Sequence, residues 1–255
     1  MSDDLVEIER DDHLVVITLD RPASRNAMNV SLAAATCAAI ESCQDARAIV
    51  LTGRDPAFCA GLDLRELGTD LLGDLPPFIA AVEASAVPVI AAVNGPAVTG
   101  GFELALACDF IIASERAAFA DTHLRVGVYP GPVAVYLPRR VGDAWARQMS
   151  LTGDFVDAST ALRIGIANEV VPHGELLDRA TAVARSIADH DPAMVQALRS
   201  DLVATVGLPI ADGHRIHDEF ASRRGLRGSR SEQIAASREA VLERARQQRT
   251  AWGTS

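Results

Sequence analysis

Three observations on the chain predict an α/β fold. An apolar stretch of strand length leads into a glycine turn and a short helical stretch at residues 48–67, and the same order returns at 89–109. Strand-type stretches then fade near residue 196, and the remaining residues read as polar-faced helices. Residues 1–195 are therefore expected to form a layered core and 196–255 a C-terminal helical region.

In chain order, Leu5 to Ile8 and Leu14 to Leu19 read as strands joined at Asp11-Asp12. Asp20-Arg21-Pro22 ends the second, because proline cannot continue a sheet ladder. Asn29 or Ser31 suits the N-cap of an alanine-rich helix running to about Cys43. Ala48–Gly53 reads as a buried strand, and the loop from Arg54 carries Gly61 into a short helix ending near Leu67. Leu75-Pro76-Pro77-Phe78 is expected to start a helix to about Ala84, with prolines tolerated in its first turn. After Val87-Pro88 the central strand begins at Val89, and a helix opens at Gly100. Phe110 to Ala113 reads as a strand, while Asp143 to Leu151 and Asp157 to Ile164 read as helices, each with its aspartate as candidate N-cap. Residues 174–189 form an amphipathic helix, Asp191-Pro192 starts another, and Asp212 to Arg224 and Ser231 to Arg249 read as two more. The charges of the last helix (Arg238, Glu239, Glu243, Arg244, Arg246) fit a solvated face.

The turn at Gly100-Gly101 bears the chemistry. A helix opening there leaves its first N–H groups without intrahelical partners, at the positive end of the helix dipole. Glycine lets a ligand touch that backbone, so negative charge developing on an oxygen could rest against it. Glu103 adds a carboxylate one turn in, although from these residues alone a plain strand-to-helix turn with a first-turn acid is the commoner reading. Gly61 precedes a second such junction, and the two could aim two backbone donors at one oxygen.

Composition narrows the partners. Of 255 residues, 49% are hydrophobic and 23% charged, an ordinary globular balance. A formal net charge of −10 argues against nucleic acid. All 24 basic residues are arginine, which excludes a Schiff-base or Walker-type lysine. Cys37, Cys43, Cys59 and Cys108 have no metal-like spacing and read as small apolar residues of a reducing compartment. The acidic N-terminus is unlike a signal peptide, and no apolar run reaches membrane-spanning length, so a cytoplasmic protein without membrane contact is expected.

The segments Ala57-Phe58-Cys59-Ala60-Gly61-Leu62-Asp63-Leu64 and Asn94-Gly95-Pro96-Ala97-Val98-Thr99-Gly100-Gly101-Phe102-Glu103-Leu104 together resemble the enoyl-CoA hydratase/isomerase (crotonase) superfamily. Asp20-Arg21-Pro22 with Arg25-Asn26-Ala27-Met28-Asn29, and Leu151-Thr152-Gly153 with Ala161 to Val171, extend the resemblance over about residues 5 to 200. It implies a spiral of ββα units and a C-terminal helical trimerisation region, giving a homotrimer or a dimer of trimers. It also implies an acyl-CoA thioester substrate with no separate cofactor and no metal. The oxyanion donors fall at the backbones of Leu62 and Gly100, and Glu103 matches the glutamate that activates water. Substrate-binding positions fall at Arg25, Ala27, Ala60, Gly61 and Asp63, with Arg25 a candidate partner for coenzyme A phosphates or simply a solvated arginine.

Two departures stand out. Where the family places a second carboxylate this chain has His123, which can donate or accept a proton at neutral pH or can simply bond to Asp121. Asp121 is the weaker stand-in. The segment Tyr129 to Arg140 is one residue shorter than the family pattern and lacks its later glycines, which predicts a displaced pocket wall. Hydration of a trans-2-enoyl-CoA is the first expectation. Double-bond isomerisation by a single acid/base is the alternative within the family, and an acyl-CoA-binding paralogue without turnover is the alternative outside enzymes.

Overall fold

The computed structural model describes residues 5–66, 75–225, 235, 238–239 and 241–246. The chain divides into two compact units, residues 1–199 and 200–255.

The first unit is built on a six-stranded sheet in the order β1 (Val6–Asp11), β2 (Leu14–Leu19), β3 (Ala48–Gly53), β4 (Val89–Val93), β6 (Phe110–Ser114), β9 (Glu169–Val171). Only the β1–β2 pair is antiparallel. Parallel strands are stable when both faces are covered, and this sheet is covered on both. Ile49 and Leu51 of β3 and Val89, Ala91 and Val93 of β4 pack into the larger core with α1 (Val30–Ser42) and α3 (Gly100–Ala107). The alternating residues Ala48, Val50, Ile90 and Ala92 join Leu176, Ala180 and Ala184 of α7 (Leu176–Ala188) on the other face. All of β3 and β4 is buried, as their apolar sequences require, and the one hydroxyl, Thr52 Oγ1, donates to Ala92 O at 2.8 Å.

A second, three-stranded sheet of β5 (Pro96–Val98), β7 (Ala118–Ala120) and β8 (Val156–Asp157) was not expected from the sequence. Strands this short carry no periodic signal, and only pairing between distant segments makes them strands. Their effect is to take the chain leaving β4 and β6 on into the second sheet before each returns.

The remaining helices of the core are α2 (Phe78–Glu83), α4 (Val133–Val141), α5 (Asp143–Thr152) and α6 (Ala158–Ile164). Capping obeys the expected chemistry at two ends: Asn29 accepts from the Leu32 N–H at 2.9 Å, and Asp157 accepts from the Thr160 N–H at 2.7 Å. Three expectations are corrected. Asp143 lies inside the first turn of α5, because Gly142 takes the cap. Residues 75–77 stay outside α2, whose N-cap is Pro77, since each proline restrains the residue before it to extended backbone. No helix follows Gly61 among the described residues to Glu66. There Asp63–Glu66 closes a single turn (Glu66 N–H to Asp63 O, 2.9 Å), because Leu62 and Asp63 are held against Met28 and the Asp63 side chain takes the Arg65 N–H.

Helix α8 (Pro192–Thr205) begins at Asp191-Pro192 as expected. The second unit contains α9 (Ile210–Arg223), where His217 pairs with the buried Asp201 at 2.5 Å. Of the helix expected over 231–249, residues 235, 238–239 and 241–246 are helical and the rest lie outside the described residues. No helix among the described residues is long and apolar enough to cross a membrane.

Candidate active site

Two chain segments run side by side from the second sheet toward the site. Cys59 bridges Ala97 in parallel, with Cys59 N–H donating to Pro96 O at 3.2 Å and Val98 N–H donating to Cys59 O at 3.0 Å. Past this bridge the two segments stay in contact through side chains: a Cβ on Gly100 would lie 3.6 Å from Leu62 Cδ2, and one on Gly61 would lie 2.0 Å from Thr99 Oγ1. Gly61 also has φ +93°, so glycine is needed there for both backbone and space.

Thr99 sits at φ +47°, a conformation a β-branched residue avoids. Its N–H bonds Ala120 O at 2.9 Å and its carbonyl accepts from Glu103 N–H at 2.8 Å, so the second sheet and α3 hold the strained turn between them. Among the described residues, neither the Leu62 N–H nor the Gly100 N–H has a hydrogen-bond partner in the protein, whereas the neighbouring Asp63 N–H is bonded to Met28 O at 2.8 Å. Donors left open in a packed region await an acceptor from outside.

Glu103 stands behind this turn with its side chain 6% exposed. Its Oε1 accepts from the Val133 N–H at the start of α4 (3.1 Å), and a Cβ on Gly131 would come within 2.9 Å of the same oxygen. The wall formed by residues 131–133 thus touches Glu103 directly. Burial raises the Glu103 pKa above the ordinary carboxylate range, and the Val133 hydrogen bond and the nearby His123 only partly oppose it.

His123 is equally buried, with Nε2 3.9 Å from Glu103 Oε2 and Nδ1 2.6 Å from Asp121 Oδ1. Burial alone would lower its pKa, but the Asp121 hydrogen bond and the charges of Glu103 and Asp121 raise it. Asp121 is pushed up by burial and brought below the ordinary range by the His123 hydrogen bond and the Ser150 hydroxyl. His123 thus bonds Asp121 through one ring nitrogen and faces Glu103 with the other.

The substrate-binding positions divide. Ala60 N–H bonds Arg25 O at 3.0 Å, which ties the two loops together, and Arg25 is exposed with a backbone φ of +52°. Ala27 and Ala60 are half-buried beside them. Asp63 is taken by the protein itself: Arg21 spans Ala27 O (2.7 Å) and Asp63 Oδ2 (2.8 Å), and although burial pushes the carboxyl up, the Arg21 bond holds it below the usual range. Asp63→Ala is expected to lower stability by about 2 kcal/mol, the order of a charge-assisted hydrogen bond lost from a largely buried site, measured by urea unfolding. Near Gly100, the Phe78 ring borders a surface groove of about 430 Å³ that also takes in Pro132, Val135 and Tyr136. Tyr136 hydroxyl donates to Glu83 at its edge.

Of the residues expected from sequence, Leu62 lies beside Gly100 and His123 beside Glu103, whereas Gly131 and Val133 were not expected as partners of Glu103. The available signal was Gly131-Pro132 ahead of an apolar stretch, a glycine and proline punctuating a helix start.

A family model described as enoyl-CoA hydratase/isomerase matches residues 9–236. The 2,3-dehydroadipyl-CoA hydratase of Escherichia coli is 36% identical over 210 residues, covering 76% of this chain and 80% of that protein. A crystal structure of an enoyl-CoA hydratase from Mycobacterium tuberculosis is 43% identical with a TM-score of 0.72, covering 87% of this chain and 100% of that one. One from Bacillus anthracis reaches a TM-score of 0.85 at 28% identity, covering 92% and 96%.

Proposed function

The chain belongs to the enoyl-CoA hydratase/isomerase (crotonase) superfamily, and from that premise we propose that it hydrates the 2,3 double bond of an enoyl-CoA thioester. The observation that carries the reading is the buried Glu103, of raised pKa and facing His123, on the helix whose first residue, Gly100, packs against the Leu62 side chain, the N–H groups of both being unbonded among the described residues. In this reading the two amides receive the thioester oxygen as it becomes an enolate oxygen, and Glu103 takes a proton from the attacking water. His123 then supplies a proton to the α-carbon. Arg25 at the rim is the proposed contact for coenzyme A phosphate, and the chains are proposed to assemble as trimers through the C-terminal helices, on a core wound as a spiral of ββα units.

The test is an acyl-CoA panel. Crotonyl-CoA is expected to lose its conjugated ultraviolet absorbance on adding enzyme. A gain of that absorbance from a 3-enoyl-CoA, without hydration, would favour isomerisation, and tight binding without turnover would favour the non-enzymic paralogue. Acidity should stop the reaction early. The base form of Glu103 is lost as pH falls through its pKa, so kcat/KM is expected to fall on the acid side at a pH above the ordinary Glu value of 4.5.

A further inference from the structure

We infer that Asp121 is a positioning residue for this reaction: it holds His123 by Nδ1, so that Nε2 faces Glu103, and balances the charge His123 carries between turnovers. The inference rests on the hydratase reading above. Its observation is a row of three buried groups from two elements, Asp121 and His123 after β7 and Glu103 on α3, joined at 2.6 and 3.9 Å.

The proton balance explains why such a row is useful. When water's oxygen bonds to the β-carbon, its proton goes to Glu103 and the double-bond electrons move to the thioester oxygen. When the carbonyl re-forms, the α-carbon takes the proton from His123 Nε2. Water has been added, yet Glu103 now holds one proton too many and His123 one too few. The facing atoms of Glu103 and His123 are 3.9 Å apart, outside direct hydrogen-bond reach, so the single proton transfer that restores both passes through one water or follows a small closing of that gap. That return needs an imidazole that is the stronger base of the two, within a site where an isolated imidazolium would be costly.

Asp121 supplies what is missing. Bonded at Nδ1, the ring cannot turn its other nitrogen away from Glu103, and the fixed negative charge favours the protonated ring. The charged groups facing His123 are Asp121 on its own segment and Glu103 on α3. From α5 only the Ser150 hydroxyl supports Asp121, and Arg125 is turned outward to Thr152 O and Asp154. Asp121 Oδ2 is buried with no hydrogen-bond partner of normal geometry, a cost that a mere loop staple would not require.

The experiment combines crotonyl-CoA kinetics across pH with nitrogen NMR of histidine-labelled enzyme, for wild type and Asp121→Asn. Wild-type His123 is expected to stay protonated at Nδ1 and to titrate above the ordinary 6.5. Activity should fall on the basic side as it titrates. In Asp121→Asn both the titration and the basic limb are expected to move to lower pH together, with kcat down about 10²-fold, the scale of a positioned proton transfer, and KM little changed. Wild-type His123 titrating at or below the ordinary value would overturn the inference without any variant. An active wild type with an Asp121→Asn profile that does not move overturns it alone, leaving the hydratase reading in place. A wild type inert toward every enoyl-CoA overturns the hydratase reading and this inference with it.

Discussion

Glu103→Gln is expected to lower kcat for crotonyl-CoA hydration by about 10³-fold, within the range that a positioned acid or base contributes, while the protein unfolds at an unchanged or slightly higher temperature. The two observables separate because of where Glu103 lies. Glutamine has the same shape, and its Oε1 can still accept the Val133 N–H that now bonds the carboxylate at 3.1 Å. What disappears is a buried charge whose desolvation the fold only partly offsets, so stability has little to lose. The base disappears with it. A Glu103→Gln enzyme that hydrates at the wild-type rate would remove Glu103 from the mechanism, whereas a variant that fails to fold would show the carboxylate to be structural.

The second large effect is on architecture. Gly101→Ala is expected to destabilise the core by about 3 kcal/mol, the upper end of ordinary overpacking, and to remove activity along with it. A Cβ there would lie 2.1 Å from Cys59 O and 2.7 Å from Cys59 Cβ. Neither can retreat cheaply, because Cys59 O already accepts the Val98 N–H and the residue is fully buried. Relief requires the 57–62 segment to part from α3, which separates Leu62 from Gly100. Gly100→Ala is the informative control, since its Cβ would meet only Leu62 and Phe78 side-chain atoms at 3.6 Å and beyond. Denaturant melts of both variants, with crotonyl-CoA rates, test the contrast.

These effects show what the sequence could and could not reveal. The apolar stretches of β3 and β4, the cap at Asn29 and the helix opening at Gly100 are local features, and each was readable from adjacent residues. Glu103 was readable too, as a first-turn acid behind a double glycine. The second sheet was not, because β5 and β7 are three residues each and β8 two, and they exist as strands only through pairing between distant segments. The same reason hid the surroundings of Glu103. Val133 reaches it across 30 positions of chain, and Gly131 matters only because α4 is brought against α3. Over the described residues to Glu66, the helix expected after Gly61 gives way to a single turn for a related reason: Met28 and Arg21, both remote in sequence, hold the Asp63 N–H and carboxylate.

His123 shows how a local departure gains meaning from tertiary placement. Its neighbour Asp121 was visible in sequence as a possible partner, but the choice between a loop staple and a chemical group depended on what lay on the other side of the ring. Glu103 lies there, and neither function excludes the other.

The central claim is that the Leu62 and Gly100 amides receive one thioester oxygen in front of Glu103. A crystal structure with a saturated acyl-CoA, which has no double bond to hydrate, tests it most directly. The account predicts the thioester oxygen at about 3 Å from both amide nitrogens, with the α- and β-carbons facing the Glu103 carboxylate and the His123 ring. An acyl-CoA whose carbonyl meets neither amide, or whose acyl carbons lie away from Glu103, would contradict it.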